Sequence, residues 1–167
     1  MKKISVLVLD VDGVLTDSRV YYTDQGSEIK AFNIKDGHGL KLLMRAGIEV
    51  ALITGRTSEA LRHRAADLGI RHVTQGAKDK RAALQELSRT LGVATTDMAY
   101  MGDDVVDLPA IALCGMSFAP SDAVEMVKER VDVVTSLRGG HGAVREVVEF
   151  ILKELNLFDS VMERYVV

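Results

Sequence analysis

The sequence contains little of what marks a secreted, nucleic-acid-binding or membrane-spanning protein. One cysteine, Cys114, among 167 residues excludes an internal disulfide framework and suits a reducing cytosol. The formal net charge of -3 provides no basic excess for nucleic acid. No apolar run approaches the roughly 20 residues of a membrane span. The run after Lys3 ends at Asp10 and is shorter than the roughly 7–15 residues of a signal-peptide core. We therefore expect a cytoplasmic protein without nucleic-acid or membrane partners.

Short apolar runs rich in branched residues alternate with helical segments along the chain. This order predicts an α/β, Rossmann-like three-layer fold with a mainly parallel sheet, built as a single domain over residues 1–167. A β-hairpin at about residues 20–32 interrupts the alternation after the first strand. The predicted strands are 4–9, 48–53, 72–74, 98–101, 116–119 and 133–135. The predicted helices are 39–46, the segment from a cap at Ser58 to Leu68, 78–91, 108–113, 123–131 and a closing helix at 143–155.

Acidic residues follow two of the predicted strands at the point where each strand ends. Asp10 and Asp12 come directly after the first strand, and Asp103 follows the strand 98–101. A single such aspartate is ordinarily a helix cap or a solvated turn residue. In a parallel sheet, however, ligands bind beyond the carboxyl ends of the strands, which share one edge. Two acidic strand ends at one edge need a cation, and an all-oxygen ligand set favours a hard ion such as Mg2+.

A hydroxyl and ammonium groups are predicted at the same edge. Thr54 ends the second buried strand, and its hydroxyl can hold an anion together with the backbone N–H of Arg56. The alternative is a turn threonine that caps the next helix. Lys78 and Lys80 follow the third strand, where either could be simply solvated. A carboxylate, a metal, a hydroxyl and an ammonium around one point are the groups that phosphoryl transfer uses.

Four segments of the chain, in this order, resemble the four motifs of the haloacid dehalogenase superfamily of phosphatases. They are DVDGVLTD, ITGR, GAKDK and GDDVVD, and the match spans Asp10 to Asp107. The segments FNIKDGHGLK, TGR and RGGHGAVRE further resemble the subfamily of 3-deoxy-D-manno-octulosonate 8-phosphate phosphatases. That resemblance implies a Mg2+-dependent phosphoric monoester hydrolase of lipopolysaccharide precursor biosynthesis. Such an enzyme releases the free sugar acid and phosphate through an aspartyl-phosphate.

The superfamily resemblance also implies a role for each motif residue. Asp10 would be the nucleophile, and Asp12 the general acid that protonates the leaving alkoxide and then the base that activates water. Asp10, the main-chain carbonyl of Asp12 and Asp103 would bind Mg2+. Thr54 would bond the phosphoryl oxygens, and Lys80 would neutralise Asp10 and the phosphoryl group.

A sugar-acid substrate carries a carboxylate that needs a cation. Arg56 and Arg64 lie on roughly the same side of the next helix at about 3.6 residues per turn, whereas we interpret Arg62 and His63 as a solvated face. The glycines of RGGHGAVRE allow either close backbone approach to a ligand or neighbour, or an ordinary helix-start turn. By family resemblance the substrate contacts are Asp12, the loop of Asn33, Ile34, Lys35, Asp36 and Gly37, then Lys41, Arg56, Arg64 and Lys80.

The motif spacing leaves no room for the cap domain that closes the site in larger superfamily members. Only a hairpin and one helix separate Asp10 from Thr54. Phosphoryl chemistry benefits from excluding water, so a neighbouring subunit is the expected lid. The subfamily implies a homotetramer with the hairpins, here Val20–Phe32, at its centre and a neighbour's C-terminal tail near the site. The alternative is a hairpin that packs on its own core.

Two other functions compete with this interpretation. A phosphatase for 2-keto-3-deoxynononate 9-phosphate would use the same mechanism, but its relatives carry an acidic residue after "TG", where this chain has Arg56. A non-enzymatic phospho-receiver module would carry its acceptor aspartate at the end of the third strand. "HVTQG" has no aspartate there, and Asp12 supplies an acid that receivers lack.

Overall fold

The chain folds around a six-stranded parallel sheet. The computed structural model describes residues 3–166, and the strand order is β5-β4-β1-β6-β7-β8. These strands are β1 Val6–Leu9, β4 Glu49–Ile53, β5 His72–Thr74, β6 Met98–Met101, β7 Met116–Ala119 and β8 Val133–Val134. A separate antiparallel hairpin consists of β2 Tyr21–Tyr22 and β3 Glu28–Ile29. The predicted α/β class, parallel sheet and inserted hairpin are therefore confirmed.

Helices lie between the strands and begin and end at recognisable residues. Ser58 caps α2 and Asp79 caps α3 through their side chains, and Gly69 and Gly92 end these helices in the left-handed conformation. The helices are α1 Ile34–Arg45, α2 Glu59–Leu68, α3 Lys80–Leu91, α4 Leu108–Ile111, α5 Glu125–Lys128, α6 Ala143–Glu154 and α7 Phe158–Met162. Short 3-10 turns cover residues 95–97, 105–107 and 163–165. Within residues 3–166, no helix is long and apolar enough to cross a membrane.

Two hydrophobic cores sandwich the sheet, because successive side chains of a strand point to opposite faces. Leu7 and Leu9 pack with α1, α2 and α6 on one face, and Val6 and Val8 pack with α3 and α4 on the other. All four side chains are almost completely buried. This double burial explains why β1 is a continuous apolar run, and it gives the three layers that the element order predicts.

The first helix begins earlier than the sequence predicts. The sequence predicts a loop over residues 33–37 and a helix from Gly39, whereas α1 begins at Ile34. Glycine in a helix costs roughly 0.5–1 kcal/mol relative to alanine, so helix propensity alone does not favour a start before Gly37 and Gly39. In the structure, a Cβ on Gly37 would lie 2.3 Å from Nη2 of Arg64 and 3.0 Å from Cδ2 of Leu68, so the glycine leaves room for these two side chains.

The C-terminal end of the chain also differs from the prediction. The expected closing helix is α6, but after it the chain turns at Asn156, which has a φ of 56°, and forms α7. The side chains of this segment pack against the core on the α1/α6 face; they include Phe158, Val161 and Met162. The helix has only five residues, too few for a helical repeat to be recognised in the sequence.

The topology brings three strand ends together, and the described residues 3–166 contain no cap domain. β1 is paired with β4 and with β6, so Leu9 lies between Leu52 and Met101. In the described residues, only the hairpin and α1 lie between β1 and β4. Between β5 and β6 lie only α3, which begins at Lys80, and one 3-10 turn. The residues that follow these three strands therefore share one open edge of the sheet.

Candidate active site

A cleft of about 410 Å3 opens at this edge of the sheet. Most of its lining comes from the segments that follow β1, β4, β5 and β6. The lining residues are Asp10, Asp12, Ser18, Thr54, Gly55, Arg56, Ala77, Lys78, Lys80, Asp103, Asp104 and Val106. All the catalytic and metal-binding residues predicted from the sequence thus lie in one cleft.

Asp10 is buried at the base of the cleft against a lysine. Its backbone N–H donates to the carbonyl of Met101 at 3.0 Å, which continues the β1–β6 ladder by one residue. The ammonium of Lys80, the first residue of α3, lies 2.9 Å from Oδ1 of Asp10. Burial first, and then the charge of Asp107, raise the pKa of Asp10 to about 6, although Lys80 opposes both effects. Asp10 is therefore ionised at neutral pH but weakly solvated, which suits a nucleophile.

Asp107 is the residue on which this arrangement depends, and the sequence patterns assigned it no role. Its side chain is completely buried. Oδ1 accepts from Lys80 at 2.6 Å and from the Tyr100 hydroxyl at 2.9 Å, while Oδ2 accepts from the backbone N–H groups of Asp103 and Asp104 at 3.1 and 3.2 Å. Burial lowers the pKa of Lys80, but the two carboxylates reverse this and raise it overall. Asp107 thus positions both the lysine and the loop after β6.

The carboxylates form a cluster suited to a hard cation. One oxygen from each of Asp10, Asp103 and Asp107 lies within 4.8 Å of the other two. The Asp107 oxygens already accept four hydrogen bonds, whereas Oδ1 of Asp103 is buried without a partner among the described residues. Burial first, and then the charges of Asp10 and Asp107, raise the pKa of Asp103 to about 8. An orphaned oxygen beside excess negative charge fits a divalent cation with oxygen ligands.

Three glycines allow the segments around the cluster to approach closely. Gly13 has a φ of 97°, and a Cβ on it would overlap Oδ2 of Asp103. Gly139 and Gly140 lie directly against the backbone of residues 13–17. The glycine-rich segment before α6 therefore packs on the loop that carries Asp12, and it also begins a helix at Gly142. The structure shows it in contact with its own chain's catalytic loop.

Thr54 and Arg56 form the second wall of the cleft. The backbone N–H of Thr54 donates to the carbonyl of Thr74, and its Oγ1 accepts from the N–H of Arg56 at 3.2 Å. Ser58, not Thr54, caps α2, so the helix-cap alternative for Thr54 is wrong. The Arg56 guanidinium donates to Glu28 at 3.0 Å and meets the Tyr22 hydroxyl at 3.3 Å. The hairpin therefore reaches its own active site.

Asp12 lies where the hairpin meets the cleft. Its Oδ1 accepts from the ammonium of Lys30, which also lies 3.1 Å from Oε1 of Glu28. Its Oδ2 lies 4.0 Å from Nε of Arg56. Asp12 is 18 residues from Lys30 in the chain, so no local sequence pattern connects the two.

The other predicted substrate contacts do not line this cleft. Asp36 is buried, and its carboxylate accepts from the backbone N–H groups of Gly142 and Arg145 at the start of α6. Arg64 donates to the carbonyl of Asn33 at 3.2 Å, and its guanidinium lies over the ring of Phe32. Ile34, Lys35, Gly37 and Lys41 are likewise absent from the lining. Within one chain, Arg64 therefore binds the start of α1 and does not line the cleft.

Known proteins share this sequence and fold. A family model described as haloacid dehalogenase-like hydrolase matches residues 33–115. The 3-deoxy-D-manno-octulosonate 8-phosphate phosphatase of Haemophilus influenzae is 48% identical over 163 residues, which cover 96% of this chain and 91% of that protein. This chain belongs to the haloacid dehalogenase-like hydrolases. The superfamily resemblance of the four motifs is thereby confirmed.

Solved structures of phosphatases are similar to this hydrolase in both sequence and fold. The phosphatase of that name from Moraxella catarrhalis, solved with magnesium ion, phosphate ion and KDO, has a TM-score of 0.96 at 42% identity and covers 98% of this chain and 94% of its own. The Yersinia pestis phosphatase has a TM-score of 0.93 at 43% identity, with 95% and 85% covered. Both are similar to this chain over at least 95% of its length.

Proposed function

We propose that this hydrolase is a Mg2+-dependent phosphatase that converts 3-deoxy-D-manno-octulosonate 8-phosphate into the free sugar acid and phosphate. The reaction would be a step of lipopolysaccharide precursor biosynthesis. The observation that carries the proposal is the meeting of buried Asp10, its partner Lys80 and the unpaired oxygen of Asp103 in one cleft. The Moraxella catarrhalis relative, solved with magnesium ion, phosphate ion and KDO, supports the choice of substrate.

The reaction needs a nucleophile and one group that moves a proton twice. A carboxylate oxygen of Asp10 attacks the phosphorus, and the bond between phosphorus and the sugar oxygen breaks. Asp12 gives its proton to that leaving oxygen, which departs poorly as an alkoxide. In the second half, Asp12 takes a proton from the water that attacks the aspartyl-phosphate. Phosphate leaves and the Asp10 carboxylate is restored.

Fixed charges and donors at the base of the cleft stabilise the phosphoryl group in both halves. Lys80 neutralises the charge of Asp10 and of one phosphoryl oxygen. The hydroxyl of Thr54 donates a hydrogen bond to another phosphoryl oxygen. We assign the cation to Asp10, the main-chain carbonyl of Asp12 and Asp103, with Asp107 holding the Asp103 loop. Mg2+ bound there would neutralise phosphoryl charge. Because these groups are held before substrate arrives, they need little reorganisation during reaction.

Arg56 is the cation that we assign to the carboxylate of the substrate. It lines the cleft, and its side chain is 43% exposed. A guanidinium has five N–H donors, and the hairpin contacts use only Nη2, so donors are left for a substrate. Residues 33–37, Lys41 and Arg64 stay predictions from the family resemblance, because they do not line the cleft of the single chain.

A phosphate-release screen tests the substrate. Purified protein with Mg2+ should release phosphate fastest from 3-deoxy-D-manno-octulosonate 8-phosphate in a panel of sugar and sugar-acid phosphates. The panel includes 2-keto-3-deoxynononate 9-phosphate, the main alternative. A clear preference for that nine-carbon ester, or for a neutral sugar phosphate, would contradict the substrate assignment while leaving the phosphatase chemistry intact.

We further propose that the active form is a cytoplasmic homotetramer of single-domain subunits, with the hairpin of residues 20–32 at its centre. The support is the apolar surface of the hairpin, where Tyr22 is 64% and Ile29 55% exposed. A two-stranded hairpin buries little by itself. Light scattering of the wild type should give four subunits, and deletion of TDQGS with trimming of both strands should give smaller, poorly active species. An active wild-type monomer would contradict this proposal.

A further inference from the structure

Lys30 is a buried cation at the active site that has no part in the reaction proposed for the cleft. It follows β3 of the hairpin, and its ammonium binds Oδ1 of Asp12 and lies 3.1 Å from Oε1 of Glu28. Its side chain is only 2% exposed. Lysine is almost never this buried unless it is paired, and here two carboxylates hold it. One of them is the group to which the proposed function gives both proton transfers.

We infer that Lys30 is a positioning residue for Asp12; this inference rests on the proposed function. Lys30 anchors Oδ1 and leaves Oδ2 to exchange protons with the leaving oxygen and then with water. Among residues 3–166, the nearest cation to Oδ2 is Nε of Arg56 at 4.0 Å, beyond hydrogen-bond distance. One fixed oxygen and one available oxygen suit a carboxylate that must serve two partners from one position. The hairpin thereby contributes to the chemistry of its own subunit.

The competing interpretation is an ion pair that only fastens the hairpin to the core. Removal of Lys30 would weaken the fold in either case, so stability alone cannot distinguish them. The dependence of the activity loss on the leaving group can distinguish the two interpretations. A sugar alkoxide needs a proton as it departs, whereas p-nitrophenolate leaves without one. The value of kcat/KM reports only the steps up to departure of the leaving group, so it isolates the acid function of Asp12.

The experiment compares Lys30→Met with wild type on 3-deoxy-D-manno-octulosonate 8-phosphate and p-nitrophenyl phosphate, both with Mg2+. Displacement of a catalytic group by about 1 Å can cost about 100-fold. We therefore expect kcat/KM for the sugar phosphate to fall about 100-fold and that for the aryl ester to fall much less. Lys128→Met is the matched control, because that lysine pairs with Glu125 on α5, outside the cleft. It should leave both values unchanged.

Two further variants separate positioning from folding. Lys30→Arg keeps the charge and so keeps the hairpin paired, but its larger guanidinium shifts Oδ1; it should show a smaller loss with the same leaving-group dependence. The double variant Asp12→Asn/Lys30→Met should be no slower on the sugar phosphate than Asp12→Asn alone, because residues that act as a unit are not additive.

The outcomes separate the inference from the proposed function. Equal losses on both esters, additive losses in the double variant, or no loss in Lys30→Met would overturn the positioning role while wild type stays active. A wild type that hydrolyses neither ester would refute the proposed function itself, and with it the role of Lys30. A leaving-group-dependent, non-additive loss supports both.

Discussion

Replacing Asp107 with asparagine should release the lysine and the metal-binding loop together. The completely buried carboxylate accepts four hydrogen bonds, two on each oxygen. An asparagine in either orientation directs its NH2 group at two donors, so at least two of these bonds are lost. Removing one partner of a buried ion pair typically costs about 3–5 kcal/mol. Because Lys80 keeps Asp10 at 2.9 Å, we expect the lower end, about 3 kcal/mol.

Urea unfolding in EDTA measures this loss without a contribution from metal. The matched control is Asp104→Asn in the same loop, whose side chain is exposed and caps the 3-10 turn. Asparagine caps as well as aspartate, so this control should change the free energy of unfolding by no more than about 0.5 kcal/mol. Asp107→Asn should also lower kcat on p-nitrophenyl phosphate by about 100-fold through misplacement of Lys80 and Asp103. A stability loss below about 1 kcal/mol, the worth of one ordinary hydrogen bond, would refute the positioning role.

Three other predictions follow from the cleft. Asp12→Asn should fold normally and lose about 10²–10⁴-fold in kcat on the sugar phosphate; wild-type turnover would make the acid–base assignment wrong. Arg56→Ala should lose about 1.5–3 kcal/mol of interaction with the substrate, which lowers kcat/KM for the sugar-acid phosphate roughly 10–150-fold. Its kcat/KM for p-nitrophenyl phosphate should change little. Equal losses on both esters, or the same pattern in the exposed control Arg62→Ala, would count against a substrate contact. Burial raises the folded-state pKa of Asp10 to about 6 and that of Asp103 to about 8. The metal-free folded state then binds more protons than the unfolded chain between about pH 4 and 8, so their contribution to stability falls as pH rises. Melting temperatures should therefore show a Mg2+ stabilisation that is larger at pH 8 than at pH 5.5; an effect independent of pH would contradict the clustered carboxylates.

The strand-end residues could be predicted because topology alone brings them together. Parallel strands place their carboxyl ends at one edge, and three buried apolar runs, each followed within two residues by a polar side chain, identify Asp10, Thr54 and Asp103. Burial on both faces makes such strands easy to recognise. The structure confirms the adjacency of β1, β4 and β6 that this reasoning requires.

The groups that position those residues could not be predicted, because their partners are distant in sequence. Lys30 contacts a carboxylate 18 residues away, and Asp36 holds the start of α6 more than 100 residues further along the chain. Asp107 lies within a recognised motif, but its role depends on Lys80 and Tyr100, which only the packed β6 and α3 bring near it. Local patterns identify which groups can react, while tertiary packing determines which groups hold them.

A Mg2+ titration of EDTA-treated protein, followed by phosphate release from 3-deoxy-D-manno-octulosonate 8-phosphate, decides whether this chain is the proposed phosphatase. We expect no turnover in EDTA, full restoration by Mg2+, and no turnover at any Mg2+ concentration for Asp10→Asn, whose amide cannot form the aspartyl-phosphate. Full turnover by rigorously metal-free wild type, or turnover by Asp10→Asn at the wild-type rate, would contradict the proposed function.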